Sequence, residues 1–195
     1  MYIAKHKRVV KLPHREIDLG DWYLTDFIQP NSYGAESVTW EAWKRLINLY
    51  NNDIQQFIKL ANIIGLYNMY IKELWNVVNV KIKYRYDDPI FQTSDFWLLP
   101  NETWYQKHGD CEDTTFLLLS AIYKVKEGWK DDIIAKEAIE YGCIGYYIDY
   151  KGTPYGHAFI IRRTDRIANG KWLCCLLYTS PSPRDLSTSR MPSSA

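Results

Sequence analysis

The order of apolar and polar positions divides the chain into a helical first part and a β-rich last part. Over residues 35–50, large apolar side chains recur every three or four positions, which predicts an amphipathic helix. Asp53 suits the N-cap of a second helix, which we expect to continue through Gly65 toward Trp75. Residues 1–76 are expected to form a helical N-terminal region, although residues 1–34 have a mixed pattern that allows a short extended piece over residues 8–12.

The middle of the chain carries one strand pattern and one short helix pattern. Residues 77–86 alternate between apolar and polar positions and contain several β-branched side chains, which predicts a strand or an extended arm. Pro100 begins residues 100–106, and proline in the first turn favours a short helix there.

Two more helices are expected in the next part of the chain. Asp110 is a good N-cap, and Asp113 three positions later resembles a capping box, so residues 111–126 should form a helix. A further helix is predicted over residues 131–141, because its apolar side chains fall on one side and Gly142 can end it.

The remaining pattern is that of an antiparallel sheet. Residues 143–149 and 157–163 predict two strands, with a turn over residues 151–156. The pair at 169–170 is Asn-Gly, a strong hairpin signal, and a third strand should begin at residues 171–173. A sheet of this kind packed on the preceding long helix gives the α+β fold class.

Composition and charge narrow the range of partners. The 195 residues include 47% hydrophobic and 24% charged residues, as expected of a globular domain with a sizeable core. The net charge of +1 gives no reason to expect a nucleic-acid partner. We find neither a signal peptide nor a membrane span, and the few cysteines lack framework spacing. A cytoplasmic protein without a membrane partner is therefore expected.

One cysteine and one histidine are the candidate chemical groups. Cys111 lies at the expected helix start, where free backbone N–H groups and the helix dipole favour a thiolate of low pKa. His157 begins an expected strand, and such a pair is typical of thiol acyl-transfer sites. The alternative is a half-buried structural cysteine. The histidines and cysteines have no zinc-ligand spacing, and there is no glycine-rich phosphate loop, so neither metal nor cofactor is expected.

The end of the chain resembles translated sequencing adapter. A common library adapter would encode residues 175–185 codon by codon, and its flow-cell end would encode residues 189–195. We expect residues 175–195 to be an adapter-derived, non-native tail, which is excluded from the fold. A genuine Ser- and Pro-rich disordered tail is the alternative.

Several motifs together resemble a known family. They are Asn79, Ile82 and Tyr84, then the run from Asp95 to Thr103, then Gly109-Asp110-Cys111-Glu112-Asp113. In these residues the chain resembles the bacterial transglutaminase-like cysteine proteinases, a kind of chain that also occurs among phage proteins. The match is strong over roughly residues 79–112 and continues more weakly through His157 and Trp172.

The resemblance implies a papain-like or transglutaminase-like core over residues 77–174, in which Cys111 is the nucleophile and His157 the base. The family's third member is an acid shortly after a tryptophan on the next strand. Here that tryptophan is Trp172, and no acid follows before the adapter-like tail. The C-terminal strands are therefore expected to be truncated and the triad reduced to a dyad.

The function implied by the resemblance is thiol-dependent amide hydrolysis or acyl transfer on a peptide or protein substrate, without a cofactor. The alternative is a non-catalytic module of the same fold that binds peptides or an assembly partner through its cleft. That module could be a structural or accessory protein of a phage.

Overall fold

Helices and antiparallel strands both occur in the computed structural model, which describes residues 5–12, 15–85, 96–148, 154–163 and 172–175. This confirms the α+β class. The helices are α1 (Tyr33–Asn52), α2 (Ile54–Ile64), α3 (Leu66–Lys81), α4 (Pro100–Gln106), α5 (Cys111–Gly128) and α6 (Ile133–Glu137). The strands are β1 (Lys5–Leu12), β2 (Arg15–Tyr23), β3 (Lys83–Tyr84), β4 (His108–Gly109), β5 (Ile139–Ile148), β6 (Pro154–Arg163) and β7 (Trp172–Cys175).

An antiparallel hairpin of β1 and β2 precedes the helices, and β1 includes the extended piece allowed over residues 8–12. Arg8 on β1 is 2% exposed, and its guanidinium forms an ion pair of 2.6 Å with Glu102 of α4. The same guanidinium lies over the rings of Trp22 and Phe96. The hairpin is thus attached to the segment that leads to α5.

Helices α1 to α3 follow the predicted caps but not the predicted lengths. Asp53 accepts a hydrogen bond from the Gln56 N–H at 2.9 Å, which confirms it as the cap of α2. Gly65 has a φ of +82°, a conformation that favours glycine, and there α2 ends and α3 begins. The single helix expected through Gly65 is therefore two helices.

The strand expected over residues 77–86 is wrong for most of its length. Helix α3 continues to Lys81, and only Lys83–Tyr84 forms a strand, in parallel pairing with β4. Leu74, Val77, Val78 and Ile82 have helical spacing and are all buried. Burial of that helical face outweighs the strand propensity of β-branched side chains.

The helix expected over residues 131–141 is also mostly wrong. Helix α6 covers only Ile133–Glu137, and strand β5 begins at Ile139. Gly142 lies within β5, where an added Cβ would be 3.1 Å from Leu119 Cδ2 of α5. The glycine allows α5 to pack closely on the sheet and does not end a helix.

Strands β5, β6 and β7 form the predicted three-stranded antiparallel sheet with β6 in the centre. β6 begins at Pro154, so the last part of the expected turn over residues 151–156 belongs to the strand. β7 includes Cys175, the first residue of the adapter-like run. The expected Asn-Gly hairpin at 169–170 and residues 176–195 lie outside the described residues.

A single core contains side chains from both the expected N-terminal region and the region that follows it. Buried apolar side chains of α1, α3, α5 and β6 belong to one cluster, and α3 spans the expected boundary between residues 76 and 77. Glu140 of β5, with a fully buried side chain, forms ion pairs of 3.0 Å with both Arg162 and Lys126 and accepts a hydrogen bond from Tyr67. In the described part of the chain, no helix has the length and apolar character needed to cross a bilayer.

Candidate functional site

The start of α5 is fixed by the carboxylate of Asp113. Its Oδ2 accepts a hydrogen bond from the Asp110 N–H at 3.2 Å, and its Oδ1 accepts one from the Leu98 N–H at 2.7 Å. Asp113 is 1% exposed. The predicted role of Asp113 in capping is confirmed, and the same carboxylate also anchors the segment before α4. Cys111 is the first residue of α5, as predicted.

Gly109 makes room for that carboxylate. An added Cβ at Gly109 would lie 2.7 Å from Asp113 Cβ and 2.8 Å from its Oδ2. Real Cβ atoms do not approach other atoms this closely. The Gly-Asp-Cys-Glu-Asp motif therefore has a structural reason for its first and last residues, independent of any chemistry at the cysteine.

The thiol of Cys111 lies in a buried and acidic environment. The residue is 9% exposed, and Sγ donates a hydrogen bond to Glu112 Oε2 at 2.8 Å. Sγ also accepts a hydrogen bond from the backbone N–H of Ala158 in β6. Burial raises the pKa of the Cys111 thiol, the Glu112 and Asp110 carboxylates raise it further, and the Ala158 N–H lowers it.

The net direction contradicts the expectation of a low-pKa cysteine at a helix start. The helix dipole and the Ala158 N–H favour the thiolate, but desolvation and the neighbouring carboxylates outweigh them and raise the pKa. The free protein therefore holds Cys111 as a neutral thiol, hydrogen-bonded to Glu112. The acid Glu112, which opposes thiolate formation, can be identified in the sequence, but the burial of the thiol cannot.

His157 lies on strand β6. The next residue, Ala158, is the one whose backbone N–H contacts the Cys111 thiol. Side chains alternate along a strand, and Ala158 and Ile160 are buried while His157 and Phe159 are half-buried. The centroid of the His157 ring lies 5.9 Å from that of the Phe159 ring, with the ring planes at 25°. The structure thus brings the Cys111 thiol to the backbone of β6 at the residue that follows His157.

The expected third residue of the triad has no candidate among the described residues of β7. The strand reads Trp172-Leu173-Cys174-Cys175 and contains no acid. Asp149 and Asp165, the nearest acids on either side of β6 in the sequence, lie outside the described residues.

An aromatic wall beside α5 was not predicted. His6 of β1 stacks on Trp97 with centroids 4.1 Å apart and planes at 5°, and Phe27 and Phe116 complete the cluster. The Glu102 carboxylate accepts a hydrogen bond from the Leu99 N–H at 2.6 Å and thereby fixes the segment that follows Trp97. The place of Glu102 in the first turn of α4 could be predicted from the sequence. Its ion pair with Arg8 of β1 could not, because the two residues are far apart in sequence.

Three donor groups near the helix start could face a cation. Carboxylate oxygens of Asp110 and Glu112 and the Cys111 Sγ all lie within 4.8 Å of one another. Acidic groups of this kind are common without an ion, and the set alone does not define a metal centre.

Cys143 of β5 is half-buried and carries a free thiol. Its Cα pairs with that of Phe159 in β6, and burial raises the pKa of its thiol as well.

Comparisons with protein families, curated proteins and solved structures give no match to this chain.

Proposed function

We propose that this chain is a thiol-dependent amide hydrolase or acyltransferase of the transglutaminase-like cysteine peptidase type, with Cys111 as nucleophile and His157 as base. The observation that carries the proposal is the contact between the Cys111 thiol, at the first position of α5, and the backbone N–H of Ala158, the residue that follows His157. Thiol acyl transfer requires a base within hydrogen-bond reach of the thiol, and this contact places the thiol at the strand residue next to one that can supply such a base.

The chemistry uses general base catalysis and not a preformed thiolate. Because burial and Glu112 raise the pKa of Cys111, the thiol loses its proton only when His157 accepts it as Sγ attacks the amide carbonyl. The C–S bond forms, and the carbonyl oxygen becomes an oxyanion that the Cys111 N–H at the helix start can bind. The imidazolium returns the proton to the leaving amine, and water or a second amine releases the acyl group.

The test measures cleavage and transfer in the same reaction. Fluorescently labelled casein reports peptide release, and incorporation of dansylcadaverine, a primary amine, reports acyl transfer. Cys111→Ala should abolish both, and His157→Ala should lower them by about 10²- to 10⁴-fold, the usual contribution of a general base. Cys143→Ala is the matched control and should retain activity. Activity that survives Cys111→Ala refutes the assignment.

A non-catalytic module that binds peptides or an assembly partner, possible for a phage accessory protein, is the second candidate function. The observation that favours it is the state of Cys111, which is 9% exposed and whose thiol donates a hydrogen bond to Glu112. This candidate predicts that Cys111→Ala binds an immobilised casein digest as well as the unchanged chain does. Neither protein would cleave casein or incorporate the amine in that case.

A further inference from the structure

Helix α1 presents an apolar stripe to solvent, and one edge of the stripe reaches the core where the Trp43 ring lies 5.8 Å from that of Tyr70. Its members are Tyr33, Trp40, Trp43, Ile47 and Tyr50, which are between 36% and 60% exposed. Tyr33, Trp40 and Ile47 follow one another at seven-residue intervals, and Trp43 and Tyr50 lie one turn further along, so all five share one helix face. The opposite face, which includes Val38, Ala42 and Leu46, is buried.

Neighbouring elements extend this stripe at both ends. Tyr105 of α4 is 70% exposed and stacks on Tyr33 with centroids 5.6 Å apart. Tyr50 contacts Phe57 of α2 edge-on at 5.4 Å, and the exposed Ile54 and Ile58 continue the apolar surface along α2.

The area matches one side of a protein–protein interface. With about 200 Å² for each aromatic side chain, the five exposed aromatic residues alone present on the order of 500 Å². The exposed isoleucines bring the surface toward the ~800 Å² that each partner contributes to a standard interface. Isolated exposed apolar residues need no explanation, but a continuous patch of this size marks an interaction surface.

The order of residues along α1 fits a second copy of the same helix in antiparallel orientation. A twofold axis at Trp40 sets each residue opposite the one equally far on the other side of Trp40. Tyr33 then faces Ile47 of the second copy, and the small Ser37 faces the large Trp43. Glu36 faces Lys44 of the second copy, so an acid meets a base at both ends of the contact.

We propose that this chain forms a twofold dimer through the α1 stripe, centred on Trp40. Within one chain, Glu36 forms an ion pair with Lys124 at 3.3 Å, and Lys44 forms one with Glu41 at 2.6 Å. Both are surface pairs, which contribute little to stability and can share their charges with a second copy. The surface is formed by other residues than those around Cys111, so the dimer does not depend on the proposed chemistry.

Sedimentation velocity of the full chain across a concentration series tests the dimer, with circular dichroism to verify folding. The unchanged chain should be dimeric at micromolar concentration, and Trp40→Glu should raise the dissociation constant by at least about tenfold. Asn48→Glu, an exposed position of α1 beside the stripe, is the control and should leave the constant within about twofold.

A charge exchange identifies the partner as a second copy. Glu36→Lys and Lys44→Glu should each weaken the dimer, and the double variant should restore it. In one chain the double variant leaves the new repulsions with Lys124 and Glu41 in place, so restoration requires a contact between copies. A chain that stays monomeric overturns the proposal. So does binding to phosphatidylcholine vesicles by a monomer, lost in Trp40→Glu, which would assign the stripe to a lipid surface.

Discussion

Replacing Asp113 by alanine should destabilise the whole domain and not only the first turn of α5. The carboxylate accepts hydrogen bonds from two backbone N–H groups, one at the start of α5 and one in the segment before α4. Asp113→Ala removes both acceptors at a site that is 1% exposed, where water cannot replace them without entering the core.

The expected size follows from those two bonds. A buried donor left without a partner costs about 1–3 kcal/mol, so the loss of both predicts a decrease of about 2–6 kcal/mol in the free energy of unfolding. Asp113→Asn retains one oxygen as acceptor but turns an amide N–H toward the second donor. It should therefore lose about half as much, on the order of 1–3 kcal/mol.

Urea unfolding followed by circular dichroism gives the comparison, with the slope against urea verified as unchanged. Asp132→Ala is the matched control, because Asp132 caps α6 with one bond of 2.9 Å to the Ala135 N–H and is only half-buried. It should lose about 1 kcal/mol. If Asp113→Ala loses no more than Asp132→Ala, the second bond, to Leu98, does not contribute to stability and the reasoning fails.

Three further predictions address the thiol, the buried ion pairs and the glycine. Glu112→Gln removes a carboxylate that raises the Cys111 pKa, so the pKa of the thiol should fall. Labelling by iodoacetamide at pH 8 should then accelerate by about threefold for each tenfold gain in the thiolate fraction. An unchanged labelling rate contradicts this prediction. Glu140→Ala should cost about 3–5 kcal/mol in urea unfolding by leaving Arg162 buried and unpaired, whereas Glu140→Leu with Arg162→Met should cost less. Gly109→Ala should lower stability by about 1–3 kcal/mol; an unaltered melting temperature would show that the helix start tolerates a Cβ.

Local signals predicted the start of α5, the cap of α2 and the three-stranded sheet. At the two helix starts the residues that decide the structure are close in sequence, as Asp113 is to Asp110 and Gln56 to Asp53. Such contacts form within one turn of the chain, and their chemistry is the same wherever the element packs.

The predictions are wrong where the sequence fits two kinds of secondary structure and burial decides which one forms. Residues 77–81 alternate as a strand would and also place Val77 and Val78 on the buried face of α3, and burial of that face prevails. The raised pKa of Cys111 has the same origin, because desolvation depends on the elements packed over the thiol and not on its place in a helix.

The N-terminal region forms one structural unit with the candidate site. Arg8 of the hairpin pairs with Glu102, whose second contact holds the Leu99 N–H. The Gln29 N–H donates to Ser120 Oγ of α5 at 2.8 Å, so the chain before α1 is bonded directly to the helix that begins with Cys111. Removing residues 1–76 would therefore expose the α5 core face and take away the ion pair that Arg8 forms with Glu102. An isolated fragment of residues 77–174 would therefore lose the geometry at Cys111.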